Sequence, residues 1–261
     1  MAEVPAPLKG TRPEGAVTEV EASKKVREMF TEIAPRYDLL NHLLSLQLDR
    51  LWRARAAKLL QSILGCPDAL VLDLCCGTGD LALALSRAGK ARIIGADFAH
   101  PMLLRARFKS RLVPSHSGLP APPPLPVFEA DALSLPFADA SFDLVATAFG
   151  FRNLANYEAG LREIQRVLKP GGTIAILEFT EPPDGLWGDF YRWYFCNVLP
   201  KIGGLISGQQ SAYTYLPKSV ARFFRPSELA ALLSTVGYQS VNYRVWTLGT
   251  VALHTAIRLN A

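Results

Sequence analysis

The chain has 261 residues, of which 49% are hydrophobic and 20% are charged, and its formal net charge is +5. This length and composition suit one α/β domain with a sizeable core. Its four cysteines form no CxxC pair and its four histidines are scattered, which argues against a disulfide framework and against a protein metal site.

The chain contains no uncharged apolar stretch of about 18 residues, and its first twenty residues have no apolar core of a signal peptide. We therefore expect a soluble, cytoplasmic protein. Basic residues concentrate between Lys24 and Lys58, but they are too sparse for a nucleic-acid-binding arm. They are expected to be solvated helix faces, with attraction to anionic lipid as the alternative.

The N-terminal part is predicted to be helical after a flexible tail of residues 1–20. In residues 21–64, Val26, Met29, Phe30 and Ile33 repeat at i, i+3, i+4 and i+7, and Pro35 then interrupts the pattern. This spacing predicts an N-terminal helical cap. We assign the cap and the rest of the chain, residues 21–261, to a single domain.

Strand and helix patterns alternate after residue 67. Residues 69–74 form an apolar run typical of a parallel strand buried on both faces, and a glycine loop and a helical run follow. Further strands are predicted at residues 91–96, 127–128, 142–147 and 173–177, with helices at 101–111 and 157–168. Such alternation predicts a doubly wound parallel sheet with helices on both faces.

Two features depart from a plain alternation. Residues 112–126 are rich in proline and are predicted to form a surface insertion. At the C-terminal end, a helix over residues 226–236 with Gly237 as its cap precedes two strands, at 240–246 and 250–259. A mostly parallel, seven-stranded sheet that ends in a hairpin favours the class I methyltransferase fold, which is Rossmann-like, over a plain dehydrogenase.

A glycine loop follows the first strand, in residues 73–80. Gly77 and Gly79 allow a sharp turn and a close approach to a ligand, and the next helix offers free N–H groups. The same pattern would pass for a dinucleotide fingerprint, so the loop alone does not choose between NAD and S-adenosylmethionine.

Two acidic residues follow the neighbouring strands. Asp97 ends the second strand, where a carboxylate can accept both hydroxyls of an adenosine ribose, although it would serve equally as a helix N-cap. Asp131 follows the third strand, where a polar side chain can receive the adenine amino group while the next backbone N–H donates to the ring. Because dehydrogenases have no regular need for that second arrangement, S-adenosylmethionine is favoured.

The combination of motifs is distinctive. From residue 26 to residue 259, the chain closely resembles the menaquinone and ubiquinone biosynthesis C-methyltransferase family. The motifs that carry the resemblance are Tyr37-Asp38-x-x-Asn41, Arg50-x-Trp52-Arg53, Leu72-Asp73-x-x-x-Gly77-Thr78-Gly79-Asp80, Asp131-Ala132-x-x-Leu135-Pro136-Phe137, Phe149-Gly150-x-Arg152-Asn153, Arg166 to Gly172, Glu178-Phe179, Tyr213-x-Tyr215-Leu216 and Val251 to His254. The Phe149 and Tyr213 motifs are the most specific of them.

The resemblance implies roles in cofactor binding. Thr78 and the backbone of the glycine loop would hold the methionine portion, Asp97 the ribose, and Asp131 with Ala132 the adenine. Phe98 would pack on the purine, and Asp73 is also expected to be a cofactor-binding residue. One departure is Ala148, because family members often carry a serine there; a lost hydroxyl contact would be worth about 1 kcal/mol.

The resemblance also implies the reaction, which is C-methylation of a prenylated quinol ring by S-adenosylmethionine. Demethylmenaquinol, converted to menaquinol in the last step of menaquinone biosynthesis, is the expected substrate. Three alternatives stay open: a benzoquinol intermediate of ubiquinone biosynthesis, another phenolic small molecule, and a catalytically silent assembly subunit. A nicotinamide oxidoreductase is the weakest reading.

The candidate catalytic residues follow the fourth strand. Arg152 would stabilise a phenolate or organise a water molecule, and its alternative is a structural ion pair with a nearby carboxylate. Asn153 is expected to orient a group or cap a helix. Tyr37 is a candidate catalytic residue, and Tyr213 and Tyr215 are candidate substrate contacts, although tyrosines are often core residues with a bonded hydroxyl.

Residues 185–224 are predicted to form lid or substrate helices. Aromatic residues from Trp187 to Phe195 recur at helical spacing and form one apolar stripe. The stripe would either pack on the sheet or, with residues 201–206, build an apolar entrance for a prenyl tail. The second reading implies peripheral contact with the inner leaflet of a membrane, and the sequence leaves a homo-oligomer open.

Overall fold

The computed structural model describes residues 10–45, 47–112, 124–198 and 210–260. Within these ranges, the side chains of residues 40, 42–44, 195–196 and 210–214 are not described. The chain forms a seven-stranded sheet in the order β3-β2-β1-β4-β5-β7-β6. This arrangement confirms the predicted class I methyltransferase fold.

The strands are β1 Leu70–Leu74, β2 Arg92–Asp97, β3 Val127–Glu129, β4 Phe142–Ala148, β5 Leu168–Phe179, β6 Tyr238–Trp246 and β7 Val251–Arg258. The helices are α1 Glu19–Ile33, α2 Tyr37–Leu44, α3 Leu48–Leu59, α4 Gln61–Leu64, α5 Asp80–Ala88, α6 His100–Arg111, α7 Tyr157–Val167, α8 Leu186–Trp193, α9 Gln210–Ala221 and α10 Pro226–Val236. Short 3-10 turns lie at Ala34–Arg36, Phe151–Asn153 and Thr247–Gly249, and one π-helical turn continues α8 at Tyr194–Val198.

The sheet is parallel up to β5 and antiparallel beyond it. β1 pairs in parallel with β2 and β4, and β4 pairs in parallel with β5. β7 runs antiparallel to both β5 and β6. The carboxyl ends of β1, β2 and β4 therefore meet at one edge of the sheet, where open α/β sheets bind ligands.

Two apolar cores cover the faces of the sheet. On one face, α7 and α10 contribute Leu161, Ile164, Leu229 and Leu233. The other core contains α3, α4 and α5 residues such as Trp52. Because both faces of the central strands are covered, Val71, Leu72 and Leu144 are fully buried, as the apolar runs in the sequence predicted.

A turn at residues 169–172, between the predicted helix at 157–168 and the predicted strand at 173–177, lies within β5. The pairing of β4 with β5 moves from Phe142 with Leu168 to Leu144 with Thr173, so the turn bulges out opposite a single β4 residue. Helix α10 spans the predicted residues, and Gly237 follows it with φ of 104°, the left-handed conformation that glycine adopts readily.

The described part of the predicted N-terminal tail, from residue 10 onward, contacts the rest of the chain. Gly10 is buried, and a Cβ placed there would lie 2.1 Å from the Ala155 backbone. The N–H of Thr11 donates to the carbonyl of Leu154 at 2.8 Å. Helix α1 begins after Thr18, whose side chain forms a capping box with Glu21. Most of the proline-rich insertion (residues 113–123) and residues 199–209 of the lid region lie outside the described residues.

Candidate active site

The glycine loop between β1 and α5 contains two glycines in different surroundings. Both have positive φ, 53° at Gly77 and 84° at Gly79, so side chains are disfavoured at either position. A Cβ at Gly79 would lie 3.1 Å from the Cβ of Ala106, whereas a Cβ at Gly77 would approach only a ring carbon of Tyr37, at 3.9 Å. Gly79 thus allows α6 to pack closely, while Gly77 borders open space.

That open space is a narrow cavity of about 60 Å³ at the carboxyl ends of β1, β2 and β4. Several predicted site residues line it together. They are Tyr37, Gly77, Asp97, Phe98, Ala132 and Asn153, and Ala148 is also part of the wall. The sequence therefore identified residues from five separate segments that the fold brings to one place.

Asp97 is buried at the end of β2, and both of its oxygens accept backbone hydrogen bonds. Oδ2 accepts from the N–H of Gly77 and Oδ1 from the N–H of Ala99, each at 2.9 Å. Burial raises the pKa of Asp97 to about 6, although the two amides oppose the shift. The carboxylate thus shapes the glycine loop and the start of α6 while it lines the cavity, so the two expectations for Asp97 are compatible.

Asp73 lies beneath the loop, fully buried. Its Oδ2 accepts a hydrogen bond from the N–H of Ala82 at 2.8 Å, and its Oδ1 has no partner within the described part of the chain. Burial raises the pKa of Asp73 to about 8. The position suits support of the loop from behind.

Thr78 and Asp131 are not among the described residues that line the narrow cavity. The hydroxyl of Thr78 donates to Asp38, and Lys109 Nζ donates to both of these side chains, to Thr78 Oγ1 at 3.1 Å and to Asp38 Oδ2 at 3.0 Å. Asp131 is exposed, and its Oδ1 accepts from the N–H of Leu133 at 2.9 Å. Among the residues around Asp131, it is Ala130 and Ala132 that line the cavity.

A wider cavity of about 290 Å³ adjoins the narrow one, and Tyr37 lines both. Burial raises the pKa of Tyr37. The walls of the wider cavity are mainly apolar and aromatic, from Met29, Phe30, Ile33, Leu48, Trp52, Phe149, Phe179, Trp187, Phe190, Tyr191, Tyr194 and Leu216. Its polar lining includes Asn41, Ser45, Asp49, Arg53, Arg152, Tyr215, Thr247 and Thr250.

Arg152 lines the wider cavity and forms a buried ion pair. Its Nη1 donates to both carboxylate oxygens of Glu178, at 3.1 and 3.0 Å, and to the carbonyl of Phe149 at 2.5 Å. Burial lowers the pKa of Arg152, but the charge and hydrogen bond of Glu178, together with the nearby Tyr215 and Tyr37, outweigh burial, so the pKa is raised. The structural ion pair expected as the alternative is thus present, and the same guanidinium still borders the cavity.

Asn153 and Tyr215 contact each other. The hydroxyl of Tyr215 donates to Asn153 Oδ1 at 3.0 Å and lies 2.8 Å from the hydroxyl of Thr11. Asn153 in turn donates to the carbonyl of Phe149 at 3.4 Å. Tyr213, the other candidate substrate contact, has a side chain outside the described residues.

Sequence reasoning assigned no functional role to Glu178, Asp49, Arg53 or Thr11. It placed Arg53 among the basic residues of solvated helix faces, and this was wrong, because Arg53 is buried. Glu178 and Arg53 lie within the quoted motifs, and Asp49 and Arg53 have the i, i+4 spacing of a helical ion pair. The spacing indicates that Asp49 and Arg53 can pair, but it does not tell a buried pair from an exposed one.

Helix α8 carries aromatic side chains on its outer surface. Trp187 is 39% exposed, Phe190 is 54% exposed and Trp193 is 56% exposed. Adjacent rings in this series lie 6.0 and 6.1 Å apart, centroid to centroid. Trp187 and Phe190 also line the wider cavity, so the exposed surface is continuous with its rim. Among the described helices, none combines the length and the hydrophobicity that crossing a bilayer requires.

Comparison with known proteins gives the site a context. The model of the ubiE/COQ5 methyltransferase family matches residues 18–258. A demethylmenaquinone methyltransferase from Thermus thermophilus is 51% identical over 231 residues, which cover 88% of this chain and 100% of that protein. A demethylmenaquinone methyltransferase from Deinococcus radiodurans is 46% identical, over 89% of this chain and 92% of the relative.

A solved structure supports the fold independently. A protein from Thermotoga maritima, described as an SAM-dependent methyltransferase and possible histamine N-methyltransferase, aligns with a TM-score of 0.62. The alignment covers 88% of this chain and 99% of that one, at 18% identity. At this identity, the likeness concerns the fold alone.

Proposed function

The chain belongs to the ubiE/COQ5 methyltransferase family, and from that premise we propose that it methylates the ring of demethylmenaquinol to give menaquinol, with S-adenosylmethionine as the methyl donor. The observation that carries the proposal is the pair of adjoining cavities with Tyr37 in the wall of both. The narrow cavity is lined by the residues predicted to bind the cofactor, and the wide, apolar cavity suits a prenylated ring. The 51% identity to a demethylmenaquinone methyltransferase supports this substrate.

The residues around the narrow cavity fit S-adenosylmethionine. Gly77 leaves open the space that a side chain would fill, and Asp97 places a buried carboxylate at the same edge. We assign the ribose hydroxyls to Asp97, the adenine to the Ala132 segment with Phe98 beside it, and the methionine portion to the glycine loop. Asp73 and Thr78 would act through the loop, because their side chains bond Ala82, Asp38 and Lys109.

When bound, S-adenosylmethionine supplies an electrophilic methyl group. The nucleophile is a ring carbon, which becomes reactive when the neighbouring hydroxyl is ionised. A phenol with pKa near 10 is only about 0.1% ionised at pH 7, a shortfall of about 4 kcal/mol. A fixed positive charge in a cavity of low dielectric is suited to supply a large part of it.

Arg152 is the residue we assign to that task. Its guanidinium is held in place by Glu178 and the carbonyl of Phe149, and no hydrogen bond from its Nη2 is found in the described structure. A held cation does not have to reorganise when charge develops on the quinol oxygen. Asn153 and Tyr37 would orient the ring and exclude water, with Tyr215 holding Asn153.

We further propose that the enzyme takes its substrate from the inner face of a membrane. Trp187, Phe190 and Trp193 form an exposed aromatic surface at the rim of the apolar cavity, and aromatic residues are favoured at the interface between membrane and water. In this arrangement α8 and α9 would cover the cavity while the prenyl tail stays near the lipid.

The test is turnover by the purified chain. Incubation with chemically reduced demethylmenaquinone and methyl-labelled S-adenosylmethionine should give labelled menaquinol, detected by mass spectrometry. A parallel incubation with a demethylated benzoquinol measures the ubiquinone alternative. Cofactor binding without any labelled quinol from either substrate would contradict the proposal and favour an assembly subunit.

A test in cells is complementary. Deletion of the gene should replace menaquinone with demethylmenaquinone in the lipid extract, and expression of the chain should restore menaquinone. An unchanged quinone profile after deletion would show that the chain has a different substrate.

A further inference from the structure

The wider cavity contains a second buried ion pair, on helix α3. Asp49 and Arg53 are separated by one helical turn and both line the cavity. Their side chains are only 4% and 8% exposed. Buried ion pairs are costly because both charges lose water, so this pair in a mainly apolar wall calls for an explanation.

Arg53 uses only one of its nitrogens within the described structure. Its Nη1 lies 2.5 Å from Asp49 Oδ2 and 4.0 Å from Asp80 Oδ2. Across the residues that the structure describes, neither Nε nor Nη2 of Arg53 makes a hydrogen bond, and neither belongs to the polar atoms that are completely inaccessible. A guanidinium has five N–H donors in a fixed fork, so most of this fork is available to a ligand in the cavity.

The two arginines of the cavity, Arg53 and Arg152, each lie over one of two neighbouring phenyl rings. The guanidinium carbon of Arg53 is 5.3 Å from the ring centroid of Phe149, and that of Arg152 is 5.5 Å from the ring centroid of Phe179. The two phenyl rings themselves are 4.6 Å apart. The cavity therefore presents two separate cations, each on its own ring and each with its own carboxylate.

We propose that Arg53 binds the second oxygen of the quinol, the hydroxyl across the ring from the one that Arg152 activates. This inference rests on the proposed function. A 1,4-quinol carries its two oxygens at opposite ends of the ring, and the cavity offers one arginine from each of two separate elements. Asp49 keeps the Arg53 fork in place and balances its charge.

In this proposal the two arginines have different tasks. The oxygen next to the methylated carbon needs stabilisation as charge develops, whereas the distant oxygen needs only to be held. Arg53 is therefore a specificity-determining residue: it selects rings with a second oxygen in the para position and fixes which ring carbon faces the methyl donor. A site that bonds a substrate hydroxyl rejects an analogue without it, because the buried donor is left unpaired.

The test compares two substrates in three proteins. The substrates are demethylmenaquinol and a 3-prenyl-1-naphthol, which keeps the hydroxyl beside the methylated carbon and lacks the other. Both are assayed with the wild type, with Arg53→Met, and with Arg55→Met, a control that removes an exposed arginine from the same helix. The quantity compared is the ratio of kcat/KM for the two substrates.

We expect Arg53→Met to reduce the preference for the diol by about tenfold to hundredfold, as for one hydrogen bond to a charged group. Arg55→Met should keep the wild-type ratio. An unchanged ratio in Arg53→Met would overturn the inference, whatever its total activity. A wild type that methylates neither substrate would instead overturn the proposed function, so the two failures are distinguishable.

A second variant controls for the possibility that Arg53→Met does not fold. Arg53→Met leaves Asp49 buried without its arginine, which destabilises a protein more than removal of both charges. The double variant Asp49→Asn/Arg53→Met removes the pair together and should show the same loss of preference at a melting temperature closer to the wild type. Retention of the full preference by a folded double variant would also overturn the inference.

Discussion

Glu178 accepts hydrogen bonds from both the backbone and the side chain of Arg152. Its Oε1 accepts from the backbone N–H of Arg152 at 3.2 Å, and both carboxylate oxygens accept from Nη1. The carboxylate belongs to β5 and the arginine to the turn after β4, so neighbouring strands fix the position of the cation. Burial raises the pKa of Glu178, and its pairing with Arg152 favours the charged form.

Glu178→Gln tests that relationship. We expect kcat to fall about 10²-fold, because the cation loses its fixed position, and unfolding to become easier by about 3 kcal/mol, because a buried charge is left unpaired. The matched control is Glu158→Gln, which removes the carboxylate of an exposed pair with Arg162 on α7 and should change neither kinetics nor melting temperature appreciably. Equal effects of the two substitutions would refute this role of Glu178.

The pKa of Asp97, raised to about 6 by burial, gives a pH dependence with a definite sign. Ribose hydroxyls need the ionised carboxylate as an acceptor, so affinity for S-adenosylhomocysteine should be highest well above pH 6 and decline as the pH falls through 6. Calorimetric titration between pH 5 and 8 measures it, and Asp97→Asn should bind weakly without this dependence. A wild-type affinity that stays constant across this range would contradict the assignment.

Stability should depend on pH in the opposite direction. The folded pKa of Asp97 lies above its unfolded value of about 4, so the native state binds more protons between pH 4 and 6 and is destabilised as the pH rises through that window. Asp73, with a pKa of about 8, extends the same effect to pH 8. Asp73→Asn should therefore flatten the decline in melting temperature between pH 4 and 8. A decline as steep as that of the wild type would show that Asp73 is not its source.

The two glycines of the loop should respond differently to alanine. Both substitutions force a left-handed backbone on alanine, at about 1 kcal/mol each. Gly79→Ala also pushes against Ala106 and should lower the melting temperature further. Gly77→Ala should retain more stability but bind S-adenosylhomocysteine at least tenfold more weakly, since its methyl group enters the narrow cavity. The reverse ranking would mean that the cofactor contacts Gly79 instead.

Tyr215→Phe removes the hydrogen bond that orients Asn153. With a net worth of about 1 kcal/mol, its loss should lower kcat roughly fivefold. Thr11→Val removes the other partner of the Tyr215 hydroxyl but leaves the bond to Asn153, and should have a smaller effect on kcat. Steady-state kinetics of both variants, with melting temperatures recorded in parallel, test whether the Tyr215 hydroxyl orients Asn153. A larger effect of Thr11→Val on kcat would assign the orienting role to the N-terminal segment.

Membrane contact through α8 predicts that Trp193→Ser weakens sedimentation with liposomes containing anionic lipid. Trp193 is exposed and is not among the residues of the cavity wall, so activity on a short-tailed, detergent-free quinol should be retained. The exposed Leu112, at the end of α6, provides a control in Leu112→Ser. If Trp193→Ser sediments with liposomes to the same extent as the control variant, the proposed contact of α8 with the membrane is contradicted.

The fold class and the edge of the sheet that carries the candidate site were predictable from the sequence. Apolar runs such as residues 69–74 predict strands buried on both faces, and the residues after such strands meet at one edge because the strands are parallel. Gly77 and Asp97 were identifiable in this way, and the family motifs added Arg152. Local pattern and chain direction are sufficient for each of these predictions.

The contacts of the side chains, by contrast, became known from the packing of the elements. Thr78 turns to Asp38 and Lys109, Arg152 pairs with Glu178, and Asp49 with Arg53 enters the cavity wall instead of facing solvent. These outcomes depend on residues far apart in the chain, whose distances no local pattern encodes. Whether a charge is buried beside an opposite charge or remains in water depends on how α2, α3 and α6 pack, because burial is a property of the whole assembly of elements and not of the segment that carries the charge.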